Sequence, residues 1–266
     1  MNKIIVNNDK VKINTDKKID VDLIVKQDIF DITKIKIQVL KDTSLMIEYK
    51  SEDKSKIDIE INIDANVNFK LYELREEQDI KVQYRYELNE YSNVVVNKFY
   101  DCNKVKELDV IYLNGENAEI NYNFNTISKD KQDIDIIVYH NHKNTISNLN
   151  NKAVNILNGS TTFNITGSVY NTITDCVVNQ NNRIINLNDK KSTINPILLI
   201  DENDVEANHA ALIGKFSKEE VFYLMSRGID YDSAINLLVK GFLYIDIKDD
   251  ERINKIIDKY WRWKDE

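Results

Sequence analysis

Through most of this chain, apolar residues return at every second position. Lys56 to Asp64 reads KIDIEINID, with Ile57, Ile59, Ile61 and Ile63 on one side. Val82, Tyr84, Tyr86 and Leu88 repeat the pattern, as do Ala118, Ile120, Tyr122 and Phe124. Ile134, Ile136 and Val138 follow, then Phe163, Ile165, Gly167 and Val169. A period of two puts one row of side chains inward and the next in water, which is strand geometry. Isoleucine, valine and tyrosine suit that pleated surface. No capped amphipathic helix interrupts the series before about residue 215, and an open parallel sheet needs helical crossovers. An all-β body remains, either a sandwich or barrel or a β-solenoid. The strands return irregularly, at roughly 20–25 residues, a spacing compatible with one solenoid coil. Alternation alone leaves both solutions open.

The period then changes. Beyond Gly214 apolar residues recur every three or four positions, and helix punctuation appears. Ser217 with Glu220 is a capping box, and Val221, Phe222, Leu224 and Met225 form an apolar stripe. Gly228 is a natural stop, and Asp230 can cap a second helix carrying Ala234, Ile235, Leu237, Leu238 and Phe242. Asp249 or Asp250 can cap a third with Ile253, Ile256, Ile257, Tyr260 and Trp261. Trp261 and Trp263 either fasten this tail to the body or meet a partner. The expected organisation is a β core over 1–214 and a C-terminal helical subdomain over 215–266.

A chain of 266 residues can bury a sizeable core. Its formal net charge of −8 argues against a general nucleic-acid binder and against adhesion to an anionic membrane. No apolar run approaches the ~20 residues of a membrane span. The opening MNKIIVNNDK lacks the apolar core of a signal peptide, so the cytoplasm is the expected compartment. Cys102 and Cys176 form no CxxC pair and read as small buried side chains. With six glycines and one proline, asparagine is expected to fill many turn positions, because it tolerates the left-handed region.

A family resemblance spans roughly Tyr139 to Phe242. Its strongest stretch runs from Pro196, Leu198 and Ile200 through Asp204-Val205 and Asn208-His209-Ala210-Ala211 to Gly214. Phe222-Tyr223-Leu224, Ser226-Arg227-Gly228-Ile229 and Gly241-Phe242 follow. Upstream, His140-Asn141-His142, Gly167, Asp175, Gln180 and Asn181 extend it. The SRGI and GF elements are specific at this joint spacing. The chain resembles the C-terminal core of the SufB/SufD proteins of SUF iron–sulfur cluster assembly. The resemblance implies a β-helix core, which decides between the two all-β solutions. It also implies that much of the family's N-terminal region is missing.

His209 is the foremost chemical candidate. A neutral imidazole binds iron well, and the alternative is a hydrogen-bonded structural histidine at a strand end. The resemblance places it on the family's His-Gly-Ala element, at a subunit interface implicated in cluster assembly. Ala207 stands where such sequences often carry cysteine, and Ala210 where they carry glycine. The histidine is not followed by the glutamate of SufB-type sequences, and residues 181–200 hold no cysteine, so the likeness is to SufD more than to SufB. Clusters are held mainly by cysteine thiolates, so any cluster would be transient and shared with a partner, with none held stably by this chain alone. His140 and His142 read either as a metal-facing pair or as turn histidines with solvated rings. Asp133 with Asp135, and Asp58 with Glu60, read as the wet face of half-buried strands rather than as a carboxylate pair for glycoside chemistry.

No P-loop, GxGxxG, GxSxG or HExxH motif is present, and no nucleophile–base pair is evident. The reading is a non-enzymatic, SufD-like scaffold. By resemblance it seats a SufC-type ABC ATPase on its helical tail, through Phe222, Tyr223, Leu224, Arg227, Gly228 and Phe242. Its β-helix end near His209 meets a SufB-type subunit or a second copy. The alternatives are a cytoplasmic β-solenoid interaction module without cluster chemistry, and a polysaccharide-acting β-helix enzyme.

Overall fold

The computed structural model describes residues 2–7, 10–14, 21–27, 32–49, 56–76, 79–244 and 250–261. These form seventeen strands and three helices. The strands are β1 (Asn2–Asn7), β2 (Lys10–Asn14), β3 (Val21–Gln27), β4 (Ile32–Val39), β5 (Thr43–Tyr49), β6 (Lys56–Ile63), β7 (Asn68–Glu76), β8 (Ile80–Leu88) and β9 (Asn93–Cys102). They continue with β10 (Val105–Leu113), β11 (Glu119–Ser128), β12 (Lys131–His140), β13 (Ile146–Asn155), β14 (Ser160–Val169), β15 (Cys176–Asn186), β16 (Thr193–Ile200) and β17 (Val205–Gly214). The helices are α1 (Lys218–Ser226), α2 (Tyr231–Phe242) and α3 (Asp250–Asp258).

From β4 onward each strand pairs in parallel with the strand two places ahead, so odd and even strands build two facing sheets. This is a β-solenoid with two strands per coil. Asn68 aligns with Asn93, Asn93 with Glu119, Glu119 with Ile146, and Ile146 with Val177. A coil therefore grows from 25 residues to 31 along the chain. That exceeds the spacing expected from sequence because each later coil holds two strands of about ten residues plus two turns. At the N-terminal end β1 with β2, and β3 with β4, pair antiparallel instead.

The alternating rows face inward as the pattern requires. Ile59, Ile61, Ile63, Tyr84, Tyr86, Ile120, Tyr122, Phe124, Ile134, Ile136, Phe163 and Ile165 are buried in one continuous core. Gly167 lies in such a row, where an added Cβ would stand 2.6 Å from Val178 Cγ1. Asparagine does take left-handed turn positions, at Asn66, Asn117 and Asn144. Much of it lies on strands instead. Asn121, Asn148, Asn179 and Asn208 stack in register, each amide donating to the previous carbonyl at 3.0–3.2 Å. Parallel, in-register coils let identical amides satisfy one another, which accounts for asparagine on strands where it is ordinarily depleted.

The tail follows its punctuation. The Ser217–Glu220 capping box forms, Gly228 adopts φ +87° after α1, and Asp230 caps α2. α2 and α3 lie on the outer face of the nine-stranded sheet. Ile235, Val239, Phe242, Leu243, Ile253, Ile256 and Ile257 pack there with Tyr72, Leu74, Phe99, Ile127, Val154 and Ile185. Arg252 and Lys259 hold Glu76 at 2.8 and 3.0 Å, and the Tyr260 hydroxyl donates to Asp101 at 2.5 Å. Trp261 packs on this seam, whereas Trp263 and Asp249 lie outside the described residues. α1 buries nothing.

Candidate functional site: the open end of the solenoid

The last coil has a neighbour on one side only. β16 pairs with β14 and β17 with β15, and among the described residues neither has a partner on its other edge. The coils from β6 to β15 are sandwiched between neighbours, whereas this end coil shows its inner row to solvent. Ile194, Leu198, Ile200, Val205 and Ala207 are only partly buried, while Ile197, Leu199, Leu212 and Ile213 are more than two-fifths exposed. Unpaired strand edges beside apolar side chains are a template for strand addition.

His209 stands on β17 in this surface. Its register partner is Gln180, which faces the solenoid interior and is nearly sealed, so His209 belongs to the same inward row one coil later. With no coil above it, the imidazole is exposed. Gln180 donates from Nε2 to the Ile197 carbonyl at 3.2 Å. Cys176 pairs with Val205, four positions back along β17 from His209. That puts His209 about 14 Å from Cys176, too far for one metal to span. Cys102 aligns through β11 and β13 with Asn186, at the opposite end of β15 from Cys176. The two cysteines are therefore roughly 35 Å apart, and both are buried thiols outside any disulfide.

The other histidines are not the pair that sequence allows. His140 is fully buried, with Nδ1 2.7 Å from Thr145 Oγ1 and Nε2 2.8 Å from Ser147 Oγ. Thr145 already donates its hydroxyl proton to the His142 carbonyl, so Nδ1 carries the ring proton and Nε2 accepts from Ser147. Burial pushes the His140 pKa down to about 4, so it stays neutral. It is a structural histidine, neither a solvated turn residue nor an open ligand. His142 lies in the following turn, half-buried. Asp133, Asp135 and Glu60 sit on the outer face of the eight-stranded sheet, paired with Lys131, Asn164 and Lys36 respectively.

A second surface is formed by α1. Phe222 and Tyr223 are 73% and 58% exposed, and Met225 is 43% exposed. The Arg227 guanidinium lies 5.3 Å over the Tyr223 ring. Leu224 is half-buried, Gly228 is exposed, and Phe242 is buried in the seam against Phe216.

One constellation has no counterpart in the sequence reading. Glu73, Arg75, Lys98, Glu107 and Asp109 are buried inside the solenoid among Tyr84, Tyr86, Tyr100 and Tyr122. Arg75 contacts Glu73 at 2.5 Å, and Lys98 contacts Glu107 at 2.5 Å and Asp109 at 2.6 Å. Three carboxyls face two cations. Burial pushes Glu107 up to about 8, and Lys98 offsets this only in part. Burial also raises Asp109. Glu73 goes the other way: burial opposes its charge, but Arg75, Lys98 and the Tyr84 hydroxyl outweigh that. Near neutral pH the cluster therefore keeps a proton, held on Glu107. The signal was available, since Val105, Glu107, Asp109, Ile111 and Leu113 form one inward row.

The family profile described as SUF system FeS cluster assembly, SufBD core domain, matches residues 26–242. This chain belongs to the SufBD core family. The iron-sulfur cluster assembly protein SufD of Bacillus subtilis is 41% identical over 85 residues, which is 32% of this chain and 20% of that protein. A SufBD family protein of Archaeoglobus fulgidus is 53% identical over 45 residues, 17% of this chain and 12% of that protein. One of Pyrococcus horikoshii is 49% identical over 53 residues, 20% of this chain and 11% of that protein. The matched stretch thus covers a fifth or less of each of these SufBD relatives. The two-sheet solenoid with its short C-terminal helices is the β-helix fold of the SufBD core, and the chain is SufD-like over the aligned part.

Proposed function

We propose that this chain is a SufD-like scaffold subunit of a SUF-type assembly complex. Its open β-helix end meets a SufB-type subunit or a second copy, and its tail, about 217–263, seats a SufC-type ATPase. The observation that carries the reading is the terminal coil, with His209 and an apolar row displayed beside two unpaired strand edges. A partner solenoid laid end to end would continue both sheets and cover that row. His209 would then lie at the junction, where a cluster could take its remaining ligands from the partner.

The exposed Phe222 and Tyr223 beside Leu224, Arg227 and Gly228 suit the ATPase contact, with Phe242 holding α2 in place beneath them. ATP hydrolysis belongs to that partner, because this chain carries no phosphate-binding loop. The cluster is cargo rather than a resident group.

Co-expression with a SufB-type and a SufC-type protein tests the assignment. Leu199→Lys with Leu212→Lys charges two exposed apolar positions on the end coil. This pair of changes should abolish capture of the SufB-type subunit while the ATPase is retained. Undiminished capture of the SufB-type protein would remove the end coil from the interface.

A further inference from the structure

The asparagine ladders and the tail enclose a groove that the assembly reading does not use. Its cavity is about 390 Å³, on the outer face of the nine-stranded sheet. Its floor is Asn97, Asn123, Asn150 and Asn181, one register row across β9, β11, β13 and β15. Asn123 donates to Asn97 at 2.8 Å and Asn150 to Asn123 at 3.3 Å, while the Asn181 amide is unbonded among the described residues. Lys70 on β7 and Lys152 on β13 also line the groove.

Lys152 is the informative residue. It is half-buried, and no carboxylate lies within ion-pair distance of it among the described residues. Its register partner on β15 is another cation, Arg183. Burial, and then Arg183, lower the Lys152 pKa. Among the described residues the other cations drawn into the protein are paired: Lys98 with Glu107 and Asp109, Arg75 with Glu73, Lys129 with Asp101, Lys240 with Asp258, and Arg252 with Glu76. Lys152 and Arg183 share instead the Phe242 ring, at 5.7 and 5.3 Å from its centroid. No aspartate or glutamate lines the groove, although the chain carries a net charge of −8. Two adjacent cations held by one aromatic ring, with no internal counter-ion and a floor of amides, call for an anion from outside.

We infer that this groove binds a small phosphate-bearing molecule, with its phosphate on Lys152, which lines the groove, within reach of the exposed Arg183 beside it, and its polar remainder along the asparagine row toward Lys70. A planar guanidinium beside a lysine matches phosphate oxygens, and side-chain amides can donate to or accept from hydroxyls and ring nitrogens. The volume admits a ligand of mononucleotide size. Free polyphosphate and a nucleotide share this chemistry, and the amide floor separates them.

Calorimetric titration of the full chain with inorganic pyrophosphate, and separately with AMP, tests the inference. At least one probe should bind saturably, one per chain. Lys152→Gln with Arg183→Gln should weaken that binding by about tenfold or more, the loss of charge-assisted hydrogen bonds. Asn150→Asp places a carboxylate on the floor without removing either cation and should weaken binding to a similar extent. In Asn150→Leu, loss of AMP binding with pyrophosphate binding kept assigns a nucleotide; binding of both probes unchanged assigns a free polyphosphate. Thermal melting of each variant without ligand confirms the fold. Absence of saturable binding by both probes, or binding that survives Lys152→Gln/Arg183→Gln in a folded chain, overturns the proposal.

Discussion

At the residue scale, the buried charges set how stability depends on pH. Glu107 rises from an ordinary 4.5 to about 8 in the folded chain. A raised acid binds its proton more tightly in the native state, so its contribution is full below about 4.5 and is lost as pH rises through 8. Asp109 shifts in the same direction. His140 has the opposite sign. Its value falls from 6.5 to about 4, so its contribution is present above 6.5 and lost as pH falls toward 4. The opposing trends offset one another between about pH 4.5 and 6.5, and above 6.5 only the loss from the raised carboxyls remains, so these groups should lower stability between pH 6.5 and 8. Glu107→Gln should flatten the alkaline side, giving a higher denaturation midpoint than the parent at pH ~8.5. Parallel losses in parent and variant between pH 6 and 8.5 would show that Glu107 is not the proton holder. His209 makes the contrasting case, because it is exposed and buries nothing. His209→Ala should change stability by no more than roughly 0.5 kcal/mol, as for most surface substitutions. It should still lower cluster yield per assembled complex. A destabilised variant with normal yield would end the functional claim for this side chain.

At the scale of elements, the helices divide into a fastened pair and a free one. α2 and α3 cover Tyr72, Leu74, Phe99, Ile127, Val154 and Ile185, and burying side chains of this kind is worth roughly 1.5–3 kcal/mol each. Removing the whole tail would expose that face, so loss of a partner after truncation would report on folding as much as on docking. α1 allows a cleaner measurement, since none of its residues is buried. Phe222→Ala with Tyr223→Ala should leave the melting temperature within a few degrees and abolish co-purification with the ATPase. Retained ATPase binding by this variant would move the docking surface elsewhere. The sequence marked the first two helices accurately through Ser217, Gly228 and Asp230, because caps are local hydrogen-bond chemistry. It did not show that Phe222, Tyr223 and Met225 on α1 are left exposed while Val221 packs against the seam. Amphipathicity says that a face seeks burial, and it is silent on whether this chain or another supplies the cover.

At the scale of the molecule, the alternation was legible wherever Ile, Val and Tyr repeated, and the inward rows are the ones predicted. The closing of strands into coils was not, since a sandwich and a solenoid share the same period; the resemblance decided it. What distinguishes them physically is register between residues 25 to 31 positions apart, and those contacts leave their trace in the asparagine ladders rather than in the hydrophobic pattern. The buried charges are concealed by residue type: Glu107 and Asp109 are ordinarily exposed side chains, yet they lie in an inward row flanked by Val105 and Ile111. The same geometry bears on metal chemistry. The candidate thiols are fixed by their coils, Cys102 and Cys176 roughly 35 Å apart and Cys176 about 14 Å from His209, while Fe–S bonds require thiolates within a few ångströms of one cluster. Solenoid coils are rigidly stacked through two parallel sheets, so no local rearrangement brings these groups together. Anaerobic reconstitution of the isolated chain with iron and sulfide should therefore leave no stable chromophore after desalting. The same treatment of the complex with a SufB-type subunit should retain one, and His209→Ala should diminish it. A stoichiometric cluster surviving on the isolated chain would mean that the ligands assemble in a way the coils forbid, and the shared-site reading would fall with it.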